Sequence, residues 1–228
     1  MNHSPFYFNA RDFTLTSEET FLYRLQKIVS YQQGIIGYEV LLDFAKAQAS
    51  IPDGLTTYKK AINDGSALNY LLTRLIKDNL KLFGSKLFIN VERINLCNKT
   101  LLRKINLAAK SLLQTNQVEL VVEITERNPC GYCANIMNGL VYLKRSEILL
   151  AADDFDIYGD DFRRNEVNIG LYDFIKVIMP KSVTEAMIFN RFVSERSEKI
   201  IVEMVEEHHA LEQWKLSTAY GYQGFAYG

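Results

Sequence analysis

The residues best suited to chemistry in this sequence are acids set inside apolar runs. Glu39 lies in the run 35–42, Glu123 in 118–124, and Asp153-Asp154 near the end of 148–155. Asn90, Lys176 and Glu203 hold similar positions in 86–91, 174–179 and 199–205. A carboxylate inside an apolar strand is costly to bury unless something compensates it. One such residue reads as a satisfied core group; a recurrence at strand after strand does not. Hard divalent cations take oxygen ligands, which carboxylates and an Asn carbonyl supply. Asp153 bridging two metals about 4 Å apart, with Asp154 serving one, suits in-line attack on a phosphodiester. Lys176 adds a positive charge that can orient a hydroxide or steady a developing anion. Glu203 can take a proton from the attacking water.

Placing these groups together requires strands whose ends converge. Apolar runs at 21–29, 35–42, 86–91, 118–124, 148–155, 174–179, 199–205 and 220–225 read as strands. Between them, helical spacing predicts helices over 56–83 (broken near Asp64-Gly65), 99–113, 130–145, 183–195 and 207–218. The runs around Glu123 and Asp153 are apolar without alternation, as strands buried on both faces are. Alternating strands and helices imply a largely parallel sheet. This many strands in 228 residues favours a closed β/α barrel over an open doubly wound sheet. In such a barrel the strand C-termini share one face, where active sites are built.

Composition narrows the function. With 48% hydrophobic and 23% charged residues the chain can build a large core, and one domain over 1–228 is expected. A net charge of −1 gives no footprint for a nucleic-acid polymer. There is no signal-peptide pattern and no run approaching the roughly 18 apolar residues of a membrane span, so a cytoplasmic location is expected. Cys97, Cys130 and Cys133 are too few for a disulfide framework. The Cys-x-x-Cys of 130–133 reads as incidental loop thiols first, a redox-sensitive pair second, and a metal site last. His208-His209 reads as a solvated helix turn, and Leu211, Trp214 and Leu216 as packing.

Seven segments, in order, resemble the EAL domain family, bacterial phosphodiesterases that open cyclic di-GMP to linear pGpG. They are Gly37-Tyr38-Glu39-Val40-Leu41-Leu42, Phe88-Ile89-Asn90-Val91, Val122-Glu123-Ile124-Thr125-Glu126, Asp153-Asp154-Phe155, Ile175-Lys176-Val177, Val202-Glu203-Met204-Val205-Glu206 and Tyr222-Gln223-Gly224-Phe225. The likeness runs from about residue 21 to 228. It implies an α/β fold, a modified TIM-type (β/α)8 barrel with one antiparallel strand. It also implies a two-metal site for Mg2+ or Mn2+, with Glu39, Asn90, Glu123, Asp153 and Asp154 as ligands. Lys176 would steady the water, Glu203 would be the general base, and Glu126 would brace the loop after the paired aspartates. Gln26, Glu206 and Gln223 would line the nucleotide site. A homodimer and a protein partner are both compatible with the resemblance.

The chain departs from the family pattern at four places. Asp43 stands where the family has an Arg that helps hold the ligand, which replaces attraction for phosphates with repulsion. Lys27 stands for a Pro, and Met204 for a Gly beside the expected base. After Phe155, Asp156-Ile157-Tyr158-Gly159-Asp160-Asp161 replaces a glycine-containing Gly-Thr-Gly-Tyr-Ser-Ser run, with loss of backbone freedom. These changes point to altered affinity or regulation. They keep a second reading open, a catalytically impaired EAL-like module that binds cyclic di-GMP or a partner protein as a regulator.

Overall fold

The structure, a computed structural model, describes residue 21 and residues 23–45, 53–77, 85–127 and 133–227. Its strands are β1 (Tyr23–Val29), β2 (Ile35–Leu42), β3 (Lys86–Val91), β4 (Glu119–Ile124), β5 (Leu149–Ala152), β6 (Phe174–Ile178), β7 (Lys199–Glu203) and β8 (Gly221–Tyr222). Its helices are α1 (Gly54–Asn63), α2 (Ser66–Lys77), α3 (Lys99–Asn116), α4 (Ala134–Arg145), α5 (Arg164–Asn168), α6 (Val183–Ser194) and α7 (His209–Gln213). The strands close into a barrel in sequence order. β1 runs antiparallel to both β2 and β8, and every other neighbouring pair is parallel. The expected modified barrel is therefore the observed one. No helix among the described residues is long and apolar enough to cross a membrane.

Two apolar clusters hold the barrel. The larger lies between strands and helices, and α3 shows how it forms. Leu101, Leu102, Ile105, Ala108 and Leu112 fall on one face at helical spacing and are buried. The Asn98 side chain caps the helix start by accepting from the Thr100 and Leu101 amides at 3.0 and 3.2 Å. The smaller cluster fills the barrel interior with one residue from each of six strands: Ile28, Phe88, Val121, Ala151, Phe174 and Ile201. Side chains alternate across a strand, so the residue two positions further faces inward too. Along β3, β4, β6 and β7 and just past the end of β5, these next residues are Asn90, Glu123, Lys176, Glu203 and Asp153. In the antiparallel β1 the direction reverses, and the next inward residue is Gln26. The plug and the polar set are successive layers of one barrel interior.

Several elements end earlier than their hydrophobic pattern predicts, and the backbone gives the reason. The run 148–155 is strand only to Ala152, because Asp154 turns left-handed at φ 45°. The run 199–205 stops at Glu203, followed by Met204 at φ 57°. The predicted strand 220–225 is only Gly221–Tyr222, and its last residue begins a 3-10 turn over Phe225–Tyr227. The predicted helix 207–218 shortens to α7, with Lys215 at φ 54° just beyond it. The stretch 56–83 is two helices, with Gly65 at φ 76° between them; residues 78–83 lie outside the described ones. The structure also adds α5 and a 3-10 turn over Arg93–Cys97, neither of which the periodicity predicted.

Candidate functional site

Lys176 is the hub of the site. It is fully buried on β6, and its Nζ lies 2.9 Å from Glu39, 2.9 Å from Glu123, 3.1 Å from Asp153 and 2.8 Å from Glu203. Asn90 donates to Glu39 Oε1 at 2.6 Å, while Gln223 donates to Glu39 Oε2 and to Gln26 Oε1, the latter at 3.0 Å. Thus β1, β2, β3, β4, β6, β7, the exit of β5 and the residue after β8 all contribute side chains. Two glycines permit the close approach. A Cβ at Gly37, two residues before Glu39, would lie 2.5 Å from the Lys86 carbonyl. Gly224, just after Gln223, has φ 153° and would meet the Val205 backbone.

Four carboxylates around one ammonium leave the charge unbalanced. Burial works against the charge on Lys176, but the acids outweigh it and push its pKa well above the ordinary value. Burial also raises Glu39, yet Lys176 and the hydrogen bonds from Gln223 and Asn90 hold it below the usual carboxylate range. Glu123 is pushed well up, by burial first and then by Glu39, Asp153 and Glu203. Glu203 is pushed up to about 8, mainly by burial, against the pull of Lys176. Asp154 is raised to about 6 by burial, Asp153 and Glu126. Such a set favours extra positive charge, whether protons or cations.

The donor chemistry fits a hard cation. Asn90 Oδ1, Glu123 Oε2 and Glu203 Oε2 are buried and accept no hydrogen bond. Carboxylate oxygens of Glu126, Asp153 and Asp154 lie within 4.8 Å of one another. The groups open into a cavity of about 370 Å3 that is lined by Gln26, Glu39, Asn90, Glu126, Asp153, Asp154, Glu203 and Gln223 among others. A smaller cavity of about 130 Å3 adjoins it through Gln26, Asp154, Glu203 and Gln223, and adds Glu206. The structure therefore brings the whole set together. Glu126, which the resemblance implies braces the loop after the paired aspartates, has its carboxylate beside those aspartates.

The segment after those aspartates is a bonded turn. Asp156 Oδ1 accepts from the amides of Tyr158 and Gly159, and the Asp156 amide donates to Asp161 Oδ2 at 3.2 Å. The fully buried Arg163 pairs with Asp161, and nearby Arg93 pairs through two bonds with Glu166, which also accepts from Tyr172 at 2.7 Å. Sequence reasoning singled out the run 156–161 as divergent but missed Arg93, Arg163, Glu166 and Tyr172. They lie in irregular backbone or short turns, where no period marks them, and Asp161-Phe162-Arg163 looks like an ordinary charged loop. Other minor readings stand: Leu211 and Leu216 are fully buried, and Trp214 packs on the core. His209 is exposed beside Glu207, but His208 packs against Tyr31 and Tyr227. Asp43 is buried. Cys130 lies outside the described residues, so the Cys-x-x-Cys geometry does too.

An eight-stranded barrel with an antiparallel first strand is also the fold of solved EAL-domain structures. Across 90% of this chain and 94% of its own, the PaMucR phosphodiesterase in complex with c-di-GMP superposes with a TM-score of 0.68 at 19% identity. The FimX EAL domain from Pseudomonas aeruginosa bound to c-di-GMP gives 0.60 at 19%, covering 90% and 88%. Klebsiella pneumoniae BlrP1 in a calcium/cy-diGMP complex gives 0.64 at 21%, covering 90% of this chain and 54% of that one. The sequence itself matches no known family description and no curated protein. The chain thus shares the EAL fold at low sequence identity.

Proposed function

We propose that this chain is a metal-dependent cyclic di-GMP phosphodiesterase that yields linear pGpG. The carrying observation is the acid ring around Lys176, with undonated buried oxygens on Asn90 and Glu203, which line the cavity, and on Glu123 behind them. Glu39, Asn90, Glu123 and Asp153 would hold one Mg2+ or Mn2+, with Asp153 shared and Asp154 serving a second. When bound, the cations neutralise the phosphodiester and stabilise both the attacking and the departing oxygen. Glu203 would take the proton of the attacking water; burial raises its pKa, which makes it a stronger base, and cations held beside it would favour its charged, proton-accepting form. Lys176, 2.8 Å from Glu203, steadies the incoming hydroxide. A phosphorus–oxygen bond forms to the water oxygen, one of the two ester bonds at that phosphorus breaks, and solvent protonates the departing sugar oxygen. Gln26, Glu206 and Gln223 line the nucleotide side, in keeping with the cavity they share. The PaMucR, FimX and BlrP1 structures are complexes with this ligand, which supports the choice of substrate.

Purified chain with Mg2+ or Mn2+ is expected to convert cyclic di-GMP to pGpG, and Glu203→Gln to lower turnover by about 10²–10⁴-fold. No turnover with either metal over a wide substrate range removes this reading. Asp43 supports a second one, a nucleotide-binding regulator without turnover, because a buried acid there offers no cation to a phosphate. Calorimetry separates the two: binding of cyclic di-GMP with no pGpG formed selects the regulator.

A further inference from the structure

We propose that Arg163 is a positioning residue that sets the carboxylates of Asp154 and Glu123 for metal, by fixing the exits of β5 and β4 together. The inference rests on the metal-site reading above. The Arg163 guanidinium is fully buried and engages three different places. Nε and Nη2 donate to Asp161 at 3.0 and 2.7 Å. Nη1 donates to the carbonyl of Ile124 at 2.8 Å, and Nη2 also reaches the carbonyl of Asp154 at 3.3 Å.

Those two carbonyls belong to the site's own backbone. Ile124 follows Glu123, and its carbonyl also accepts the amide of Asp153 at 3.1 Å. One oxygen therefore joins Glu123's strand end, Asp153 and Arg163. Asp154 is held at φ 45°, a left-handed conformation that a residue with a Cβ adopts at a cost. Such strain persists only where the surroundings over-determine it. Arg163 supplies one restraint, on the Asp154 carbonyl. The Phe155 amide supplies the next by donating to the Lys176 carbonyl at 2.8 Å. The guanidinium also packs over the rings of Phe155 and Phe162, at 5.6 and 5.7 Å.

The geometry requires a planar fork. A lysine at 163 would keep the charge beside Asp161, but its donors sit on one compact nitrogen and cannot span both Asp161 oxygens and the two carbonyls as the planar fork does. Arg93 and Glu166 lie in the same layer, but no hydrogen bond of theirs reaches Ile124 or Asp154. They provide an internal control for a merely structural role.

The test uses the full chain and Mn2+, with calorimetry or electron paramagnetic resonance reading affinity and thermal unfolding read in parallel. Arg163→Lys and Arg163→Gln should weaken the weaker Mn2+ site at least tenfold. Glu166→Gln should lower the melting temperature and leave both Mn2+ affinities within about twofold of wild type. Wild-type Mn2+ affinity in a folded Arg163→Lys protein overturns the inference. So does equal weakening in Glu166→Gln at the same loss of melting temperature. If Arg163→Gln fails to fold, Arg163→Lys carries the test. Absence of Mn2+ binding in the wild type removes the metal-site reading, and this inference with it.

Discussion

Two buried charged clusters sit side by side in this barrel and are built on opposite rules. Behind the mouth, Arg163 faces Asp161 and Arg93 faces Glu166, one guanidinium to one carboxylate in forked geometry. At the mouth, Lys176 faces four carboxylates, and some of their oxygens have no donor. The first arrangement balances charge where water is excluded, as a buried pair must if it is not to destabilise the fold. The second leaves negative charge uncompensated, which is tolerated where a cation or substrate is to be bound. Burial alone therefore does not distinguish scaffold from site; charge balance does.

This contrast can be broken by neutralising one acid in each cluster. Asp161→Asn leaves Arg163 buried without its counter-charge, and should destabilise the protein by about 3–5 kcal/mol in denaturant unfolding. Glu123→Gln removes like-charge repulsion from the mouth, and in metal-free protein should stabilise it by about 0.5–2 kcal/mol. Equal destabilisation by both changes would mean that the mouth is as well balanced as the layer behind it.

The pH dependence should sharpen the same distinction. The folded pKa of Glu203 is about 8, above its ordinary value of 4.5. Between those values the folded state binds more protons than the unfolded one, so stability falls as pH rises. Glu123 is shifted in the same direction and adds to the trend. Melting temperature in EDTA should therefore decline from about pH 5 to pH 8, and saturating Mg2+ should flatten the decline. A metal-free profile that rises over this window would contradict the assignment. The smallest effect concerns Met204, half-exposed beside Glu203 at φ 57°. Met204→Gly should stabilise by less than about 1 kcal/mol, since relief of left-handed strain is offset by glycine's larger loss of entropy.

Much of the mouth was legible because barrel strands impose a simple period. A polar residue two positions beyond an interior plug, as in Phe88 to Asn90 or Phe174 to Lys176, must face the same interior. Strand after strand with that pattern reveals a convergent site before any coordinates exist. The ends of β5 and β7 were less legible, because hydrophobicity continues through Phe155 and Val205 while the backbone turns at Asp154 and Met204. Arg93, Arg163 and Glu166 were not legible at all, and Asp161 only as part of the divergent run 156–161. Their pairing joins segments up to 73 residues apart, and no local periodicity encodes it.

The sequence by itself set out the alternation of strands and helices, the closed barrel and the strand-end group of Glu39, Asn90, Glu123, Asp153, Asp154, Lys176 and Glu203, because each follows from local period and residue type. Gln26, Glu206 and Gln223 came from the resemblance to EAL domains. Tertiary structure alone decided that Lys176 would be shared by four acids and that Glu126 would lie beside Asp153 and Asp154. It also decided that a buried arginine would tie two strand exits together. Those are matters of distance between remote segments, and in a closed barrel such distances exist only once the last strand has met the first.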